Sequence, residues 1–154
     1  MRLLDFEEYV SNLKRKINVN KDKVLFVCIG TSEILWDSLG PLVGSFLKEK
    51  LGGKKVIGDM NNNICMKKDL ICYSSQIRNG FVVAIDTAIS SLELHGKIFI
   101  TNKPTVMGMG LNRNKGIIGN ISIKMAISDI ESIDEKYIKN KAEFIGKGIC
   151  EIEK

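Results

Sequence analysis

Two aspartates, Asp37 and Asp86, carry the clearest chemical signal in the sequence. Each follows an apolar run of strand type. Val24 to Ile29 breaks at Gly30 and leads through a short loop to Asp37, and Phe81-Val82-Val83-Ala84-Ile85 leads directly into Asp86. If the two runs are neighbouring strands, they lie about 4.8 Å apart and both acids project over one sheet edge. Two carboxylates that close cannot both ionise freely, so one pKa rises and the pair can share a proton. One member can then take a proton from water while the other donates a hydrogen bond to a carbonyl. That is hydrolase chemistry. The structural alternative is that Asp37 caps a helix and Asp86 merely ends a strand.

Other reactive residue types are sparse. His95 is the single histidine and sits in the polar turn Glu93 to Gly96. It lacks a metal-ligand spacing, and neither a metal nor a cofactor is expected. Cys28, Cys65, Cys72 and Cys150 include no Cys-x-x-Cys pair, so they read as reduced thiols. Cys28 lies inside an apolar run, where a small buried hydrophobe is the better reading than a nucleophile. Ser38 lacks the glycine setting of a nucleophile elbow. Trp36 either desolvates Asp37 or anchors the core. Thr31 and Ser32 can hydrogen-bond a substrate or close their own loop. Glycines at 108, 110, 116 and 119 can line a binding loop or make tight turns.

The elements that would hold these residues alternate between strand and helix. Phe6, Val10, Leu13 and Ile17 have helical spacing, with acids early and bases late. Val24 to Ile29 reads as a strand buried on both faces. A helix restarts near Gly40-Pro41, buries Leu42, Val43, Phe46, Leu47 and Leu51, and stops at Gly52-Gly53. Residues 54–58 form a short strand, 66–79 a helix, 81–86 a second long strand that ends in its acid, and 97–101 a third. Residues 102–120 are too long for an ordinary connection, which argues for a functional loop. Residues 121–125 give another strand and 129–151 a closing helix. The expected fold is α/β, a three-layer αβα arrangement around a mostly parallel or mixed sheet. A single domain is expected over residues 1–154, with an N-terminal helix within 1–20. Ligands in such folds bind at the carboxyl edge of the strands.

Composition narrows the class. The chain has 154 residues, 44% of them hydrophobic, enough for one domain with its own core. No apolar run reaches the ~18 residues of a membrane span, and the charged start MRLLDFEEYVSNLKRK does not read as a signal peptide. A soluble cytoplasmic protein without a membrane partner is expected. The net charge of +5 comes from 23 Lys+Arg against 18 Asp+Glu, spread along the chain rather than in one block, so nucleic acid is not the expected partner.

Three segments carry a family resemblance: Val-Cys-Ile-Gly-Thr at 27–31, Asp-Ser-Leu-Gly-Pro-Leu-Val-Gly at 37–44, and Val-Ala-Ile-Asp at 83–86. Together with Met107 to Ile123, they resemble the germination-protease superfamily, and within it the small sporulation branch of YyaC-type proteins. The likeness spans roughly residues 24–125. It implies a phosphorylase/hydrolase-like fold, a peptidase activity, and a setting in the forespore or spore core of a spore-forming bacterium. It matches Asp37 and Asp86 to that family's catalytic aspartates, and it makes Gly30, Thr31, Gly110, Asn112 and Asn120 candidate substrate-binding residues. The implied partner is a protein or peptide substrate, with small acid-soluble spore proteins as candidates; a homo-oligomer is compatible with it. The loop Ser32 to Trp36, Asn120, and Thr87 to Ser90 depart from the branch's usual residues. A non-catalytic sporulation protein that uses the same crevice for binding is therefore the alternative.

Overall fold

Every residue of Val24–Cys28 (β1) is buried, as a strand covered on both faces requires. β1 pairs in parallel with Val56–Ile57 (β2) on one side and Phe81–Ile89 (β3) on the other. β3 pairs in parallel with Ile121–Ile127 (β7), and the edge strand Ile98–Thr101 (β4) runs antiparallel to β7. The sheet order is β2-β1-β3-β7-β4. This is the mixed, mostly parallel α/β sheet expected. The computed structural model describes residues 5–107 and 116–154. Among the described residues, no helix is long and apolar enough to cross a membrane.

Alternation along the strands divides the core in two. Phe26, Cys28, Val83, Ile85, Ile123 and Met125 face three long helices: Phe6–Ile17 (α1), Leu39–Leu51 (α2) and Glu135–Ile152 (α4). Leu25, Val27, Val82 and Ala84 face a thinner layer. That layer holds a 3-10 segment, Lys67–Tyr73, then a short helix, Ser74–Asn79 (α3), and a two-stranded ribbon of Thr105–Val106 (β5) and Ile117–Ile118 (β6).

Local chemistry sets the helix ends. Asp5 caps α1 by accepting from the Glu8 N–H at 2.8 Å, and Asp134 caps α4 by accepting from Tyr137 N–H at 2.8 Å. The Asp134 cap delays α4 to Glu135, six residues later than the expected start at 129, and a 3-10 turn at Ile130–Ser132 fills part of the interval. The expected helix over 66–79 is split into the 3-10 segment and α3. The expected long loop contains β5 and β6. β3 does not end at Asp86 but continues to Ile89, because β7 supplies pairing as far as Ile89 opposite Ile127.

Glycine permits the close approach that seats α2. A Cβ on Gly40 would collide with the Ile29 carbonyl, so only glycine lets the first turn of α2 lie against the end of β1. Gly40→Ala is expected to cost about 3 kcal/mol through overpacking against backbone, a fall in Tm of roughly 6–12 °C for a chain of this size. Gly53→Ala, with nothing within 4 Å of the added carbon, serves as the control and should move Tm little. Equal Tm values for the two variants in a thermal melt would refute this packing account.

Candidate active site

The chain leaves the sheet where β1 stops short of β3. The last register pair is Cys28 opposite Ile85, followed by one more bond from Ile29 N–H to the Ile85 carbonyl at 2.8 Å. Gly30 then turns away with φ +142°, a conformation that favours glycine. Its N–H donates to the Ile64 carbonyl at 2.9 Å. The loop that follows is closed by Thr31 N–H donating to the Asp37 carbonyl at 3.1 Å. A second loop holds it from outside. Asn63 Oδ1 accepts from Ser32 N–H at 2.9 Å and from the Thr31 hydroxyl at 3.2 Å, while its amide donates to the Asp59 carbonyl. Asp59 is itself fixed by Lys48 at 2.6 Å and by the N–H groups of Asn61 and Asn62.

A short 3-10 turn, Leu35–Asp37, delivers Asp37 to the ground that β1 leaves open beside β3. Ser38, not Asp37, occupies the cap position of α2, and it makes no side-chain capping bond. The capping explanation for Asp37 therefore fails. Its Oδ1 accepts instead from the Thr87 hydroxyl at 3.3 Å, across fifty residues of sequence. Asp86 is adjacent on β3, only 7% exposed, with Oδ1 accepting from Thr87 N–H at 2.7 Å.

Burial dominates the electrostatics. It pushes the Asp37 carboxyl up to about 6, against the opposing hydrogen bonds from Thr87 and Thr31. Burial also drives Asp86 well above the ordinary carboxylate range, and the Asp37 charge adds to it. Asp86, the more deeply buried of the two, is therefore the acid whose protonated form burial and the neighbouring charge favour more. Lys124 acts in the opposite sense on Asp86. It is the register partner of Asp86 on β7, so both side chains leave the same face of the sheet.

Lys124 and Cys65 are site residues that the sequence reading missed. A lone lysine in the otherwise apolar run Ile121–Ile127 was the signal for the first. Cys65 carries none, because only folding brings its thiol to the Gly30 carbonyl, to which it donates at 3.3 Å. Burial and the charges of Asp37, Asp69, Asp86 and Glu33 raise its pKa, so it remains a thiol rather than a nucleophilic thiolate.

The other candidates fall in different positions. Gly30 is buried, and its N–H and carbonyl are both engaged. Thr31 is half-buried and tied to Asn63 and to Glu33 N–H. Asn120 lies at the far end of β3: its side chain accepts from Val82 N–H at 2.7 Å and its own N–H donates to the Val82 carbonyl. Four residues of strand, about 13 Å, separate Val82 from Asp86. Asn120 therefore does not join the acid pair. It precedes its strand, and in a parallel sheet that puts it at the amino edge, opposite the carboxyl edge where the acids emerge. Gly110 and Asn112 lie outside the described residues. His95 is an internal clasp: Nδ1 accepts from Ser128 and Asp129 N–H, Nε2 pairs with the Ser132 hydroxyl, and the ring stacks on Tyr137. Trp36 is partly buried against the helix-side core. Among the described residues, no group of three His, Cys, Asp or Glu side chains is arranged to hold a metal ion.

The buried acid has a consequence for stability. A carboxyl whose folded pKa lies above its unfolded value of ~3.9 binds its proton more tightly in the folded state. Its contribution to stability therefore falls as pH rises from about 4 to about 6 and stays low above that. Asp37→Asn removes the penalty. It should stabilise the protein at pH 8 by about 2 kcal/mol, allowing for partial solvent contact, or roughly 4–8 °C in Tm, and give no gain near pH 4. Melts at the two pH values would show it, and a gain of equal size at both would contradict this assignment.

Comparison with known proteins agrees with the architecture. The uncharacterized protein YyaC of Bacillus subtilis (strain 168) is 31% identical over 104 residues, covering 65% of this chain and 51% of that protein, so the match spans about half of its length. The crystal structure of a NiFe hydrogenase maturation protease, HycI from Thermococcus kodakarensis KOD1, superposes with a TM-score of 0.62 at 18% identity. That superposition covers 92% of this chain and 98% of HycI, a likeness of fold. A family model matches residues 4–145, and the chain accordingly belongs to the family described as protein of unknown function, DUF1256.

Proposed function

We propose that the protein is a peptidase in which Asp37 and Asp86 activate water against a peptide carbonyl. The observation that carries this reading is the buried acid pair: Asp37, held to Thr87 rather than used as a cap, is pushed up to about 6, and burial with the Asp37 charge raises Asp86 well above the ordinary carboxylate range. Ionised Asp37 takes a proton as water adds to the carbonyl carbon. Protonated Asp86 donates a hydrogen bond to the carbonyl oxygen as negative charge builds there. Collapse of the tetrahedral species breaks the C–N bond, and the proton on Asp37 passes to the leaving amine. Lys124 adds positive charge on the same face. The fold shared with a protein named a maturation protease supports this reading, as does the resemblance to germination proteases. From that resemblance come the sporulation setting and the candidate spore-protein substrates.

A second reading, a non-catalytic sporulation protein with a binding crevice, draws on the loop Glu33 to Trp36, whose residues depart from those of the resembling family. Thr31 and Ser32 beside it are committed to Asn63.

The two readings separate in one experiment. The purified chain is incubated with a peptide library between about pH 5 and 9, and new termini are read by mass spectrometry. The peptidase reading expects a maximum above pH 6, declining below it as Asp37 gains a proton and declining again where Asp86 loses its own. Asp37→Asn and Asp86→Asn should each lower the rate about a hundred-fold or more. No new termini at any pH would leave the binding reading, and cleavage that survives both substitutions would refute the role given to the acid pair.

A further inference from the structure

The thin layer of the sandwich is incompletely closed. A groove of about 230 Å³ runs between the Lys67–Tyr73 segment with α3 on one side and the β5–β6 ribbon on the other. Leu70, Ile71, Ile77, Ile117 and Ile118 form its apolar walls. Leu70 and Ile118 root it in the core, but Ile71 is 69% exposed and Ile117 58%. Two large aliphatic side chains are thus left in water at one groove, continuous with the buried Leu70 and Ile118.

The charges around the groove are of one sign. Lys67 and Arg78 line it, and no carboxylate does. Neither cation is ion-paired among the described residues. The nearest acid in sequence, Asp69, is turned inward, where its Oδ2 accepts from Cys65 and Met66 N–H at 2.9 and 3.1 Å. The Ser74 hydroxyl is spent on the Ile71 carbonyl. Apolar walls with an unneutralised basic rim are complementary to an amphipathic segment that presents aliphatic side chains flanked by Asp or Glu.

The groove shares a face of the sheet with Asp86. Val82 and Ala84 lie on the groove side of β3. Asp86 continues that alternation two residues on, about 7 Å further along the strand. Lys67 follows Cys65, whose thiol touches the Gly30 carbonyl, by only two residues. A chain seated in the groove is thereby led toward Asp86.

We propose that this groove is a docking site for an acidic, amphipathic stretch of polypeptide, which anchors it while a neighbouring stretch reaches the acid pair. The inference rests on the peptidase reading in taking polypeptide as the occupant, but binding can be measured without turnover. The probe is a fluorescein-labelled peptide with a leucine face flanked by glutamates, compared with a twin in which lysine replaces every glutamate. Both are titrated by fluorescence anisotropy into the full chain carrying Asp37→Asn and Asp86→Asn. The acidic peptide should bind about ten-fold tighter than its twin, and added salt should erode the difference. Lys67→Glu with Arg78→Glu should reverse the preference. Ile71→Asp, at a side chain already in water, should weaken both peptides while circular dichroism stays unchanged.

Equal affinity for the two peptides, or insensitivity to the charge reversal, overturns the proposal. So does a concentration-dependent dimer in sedimentation that Ile71→Asp abolishes, because the groove then belongs to a second copy. A fatty acid that binds while neither peptide does overturns it too. Charge-selective binding without cleavage by the unsubstituted chain would sink the peptidase reading and leave the groove standing. Cleavage without charge-selective binding would do the reverse.

Discussion

The site exists because β1 ends four residues before β3. The two strands run in register from Val24 opposite Phe81 to Cys28 opposite Ile85, after which β1 has only one further backbone bond to offer. β3 continues, held on its other side by β7 as far as Ile89. The ground beside Asp86 and Thr87 is therefore free of a strand, and the turn Leu35–Asp37 occupies it. A longer β1 would pair Thr87 through its backbone and leave no room for a carboxylate. Gly30 starts the departure, Asn63 braces the loop, and Gly40 lets α2 close over the break.

Setting two acids in that gap opposes folding. Burial disfavours the ionised form of both, and their proximity spreads the two protonations apart. The outcome is a pair of carboxyls both raised above the ordinary range, without a metal ligand set among the described residues. Lys124 and Thr87 moderate the penalty from opposite sides: Lys124 acts on Asp86 along the sheet face, and Thr87 binds Asp37 by its hydroxyl and Asp86 by its N–H. Sites that use local strain or misplaced charge in this way are among the places where structural economy yields to function.

The two sides of the sheet are built for different tasks. Three long helices seal the first, and Tyr9 is buried there with its hydroxyl donating to the Ile145 carbonyl at 2.8 Å. The second is covered by short elements that leave apolar side chains and cations at the surface. The thick layer seals its side of the sheet, and Asp86 and Lys124 project from the face that the thin layer covers.

Much of the scaffold was legible in the sequence. Continuous apolar runs identified β1 and β3, the 3.6-residue period identified α1 and α4, and Gly52-Gly53 marked the end of α2, because these signals depend on a residue's own neighbours. Ends set by partners were less legible: β3 outruns its acid because β7 supports it, and α4 starts late because Asp134 caps it. The sequence by itself determined that two acids lie just beyond two buried apolar runs, Val24 to Ile29 and Phe81 to Ile85. Only the tertiary structure decided that those strands are adjacent, that Thr87 takes Asp37 out of any capping role, and that Lys124 and Cys65 join the acids. It also separated Asn120 from them, because a residue's edge of a parallel sheet depends on whether it enters or leaves its strand. Such relations are contacts between residues distant in sequence, and no local spacing encodes them.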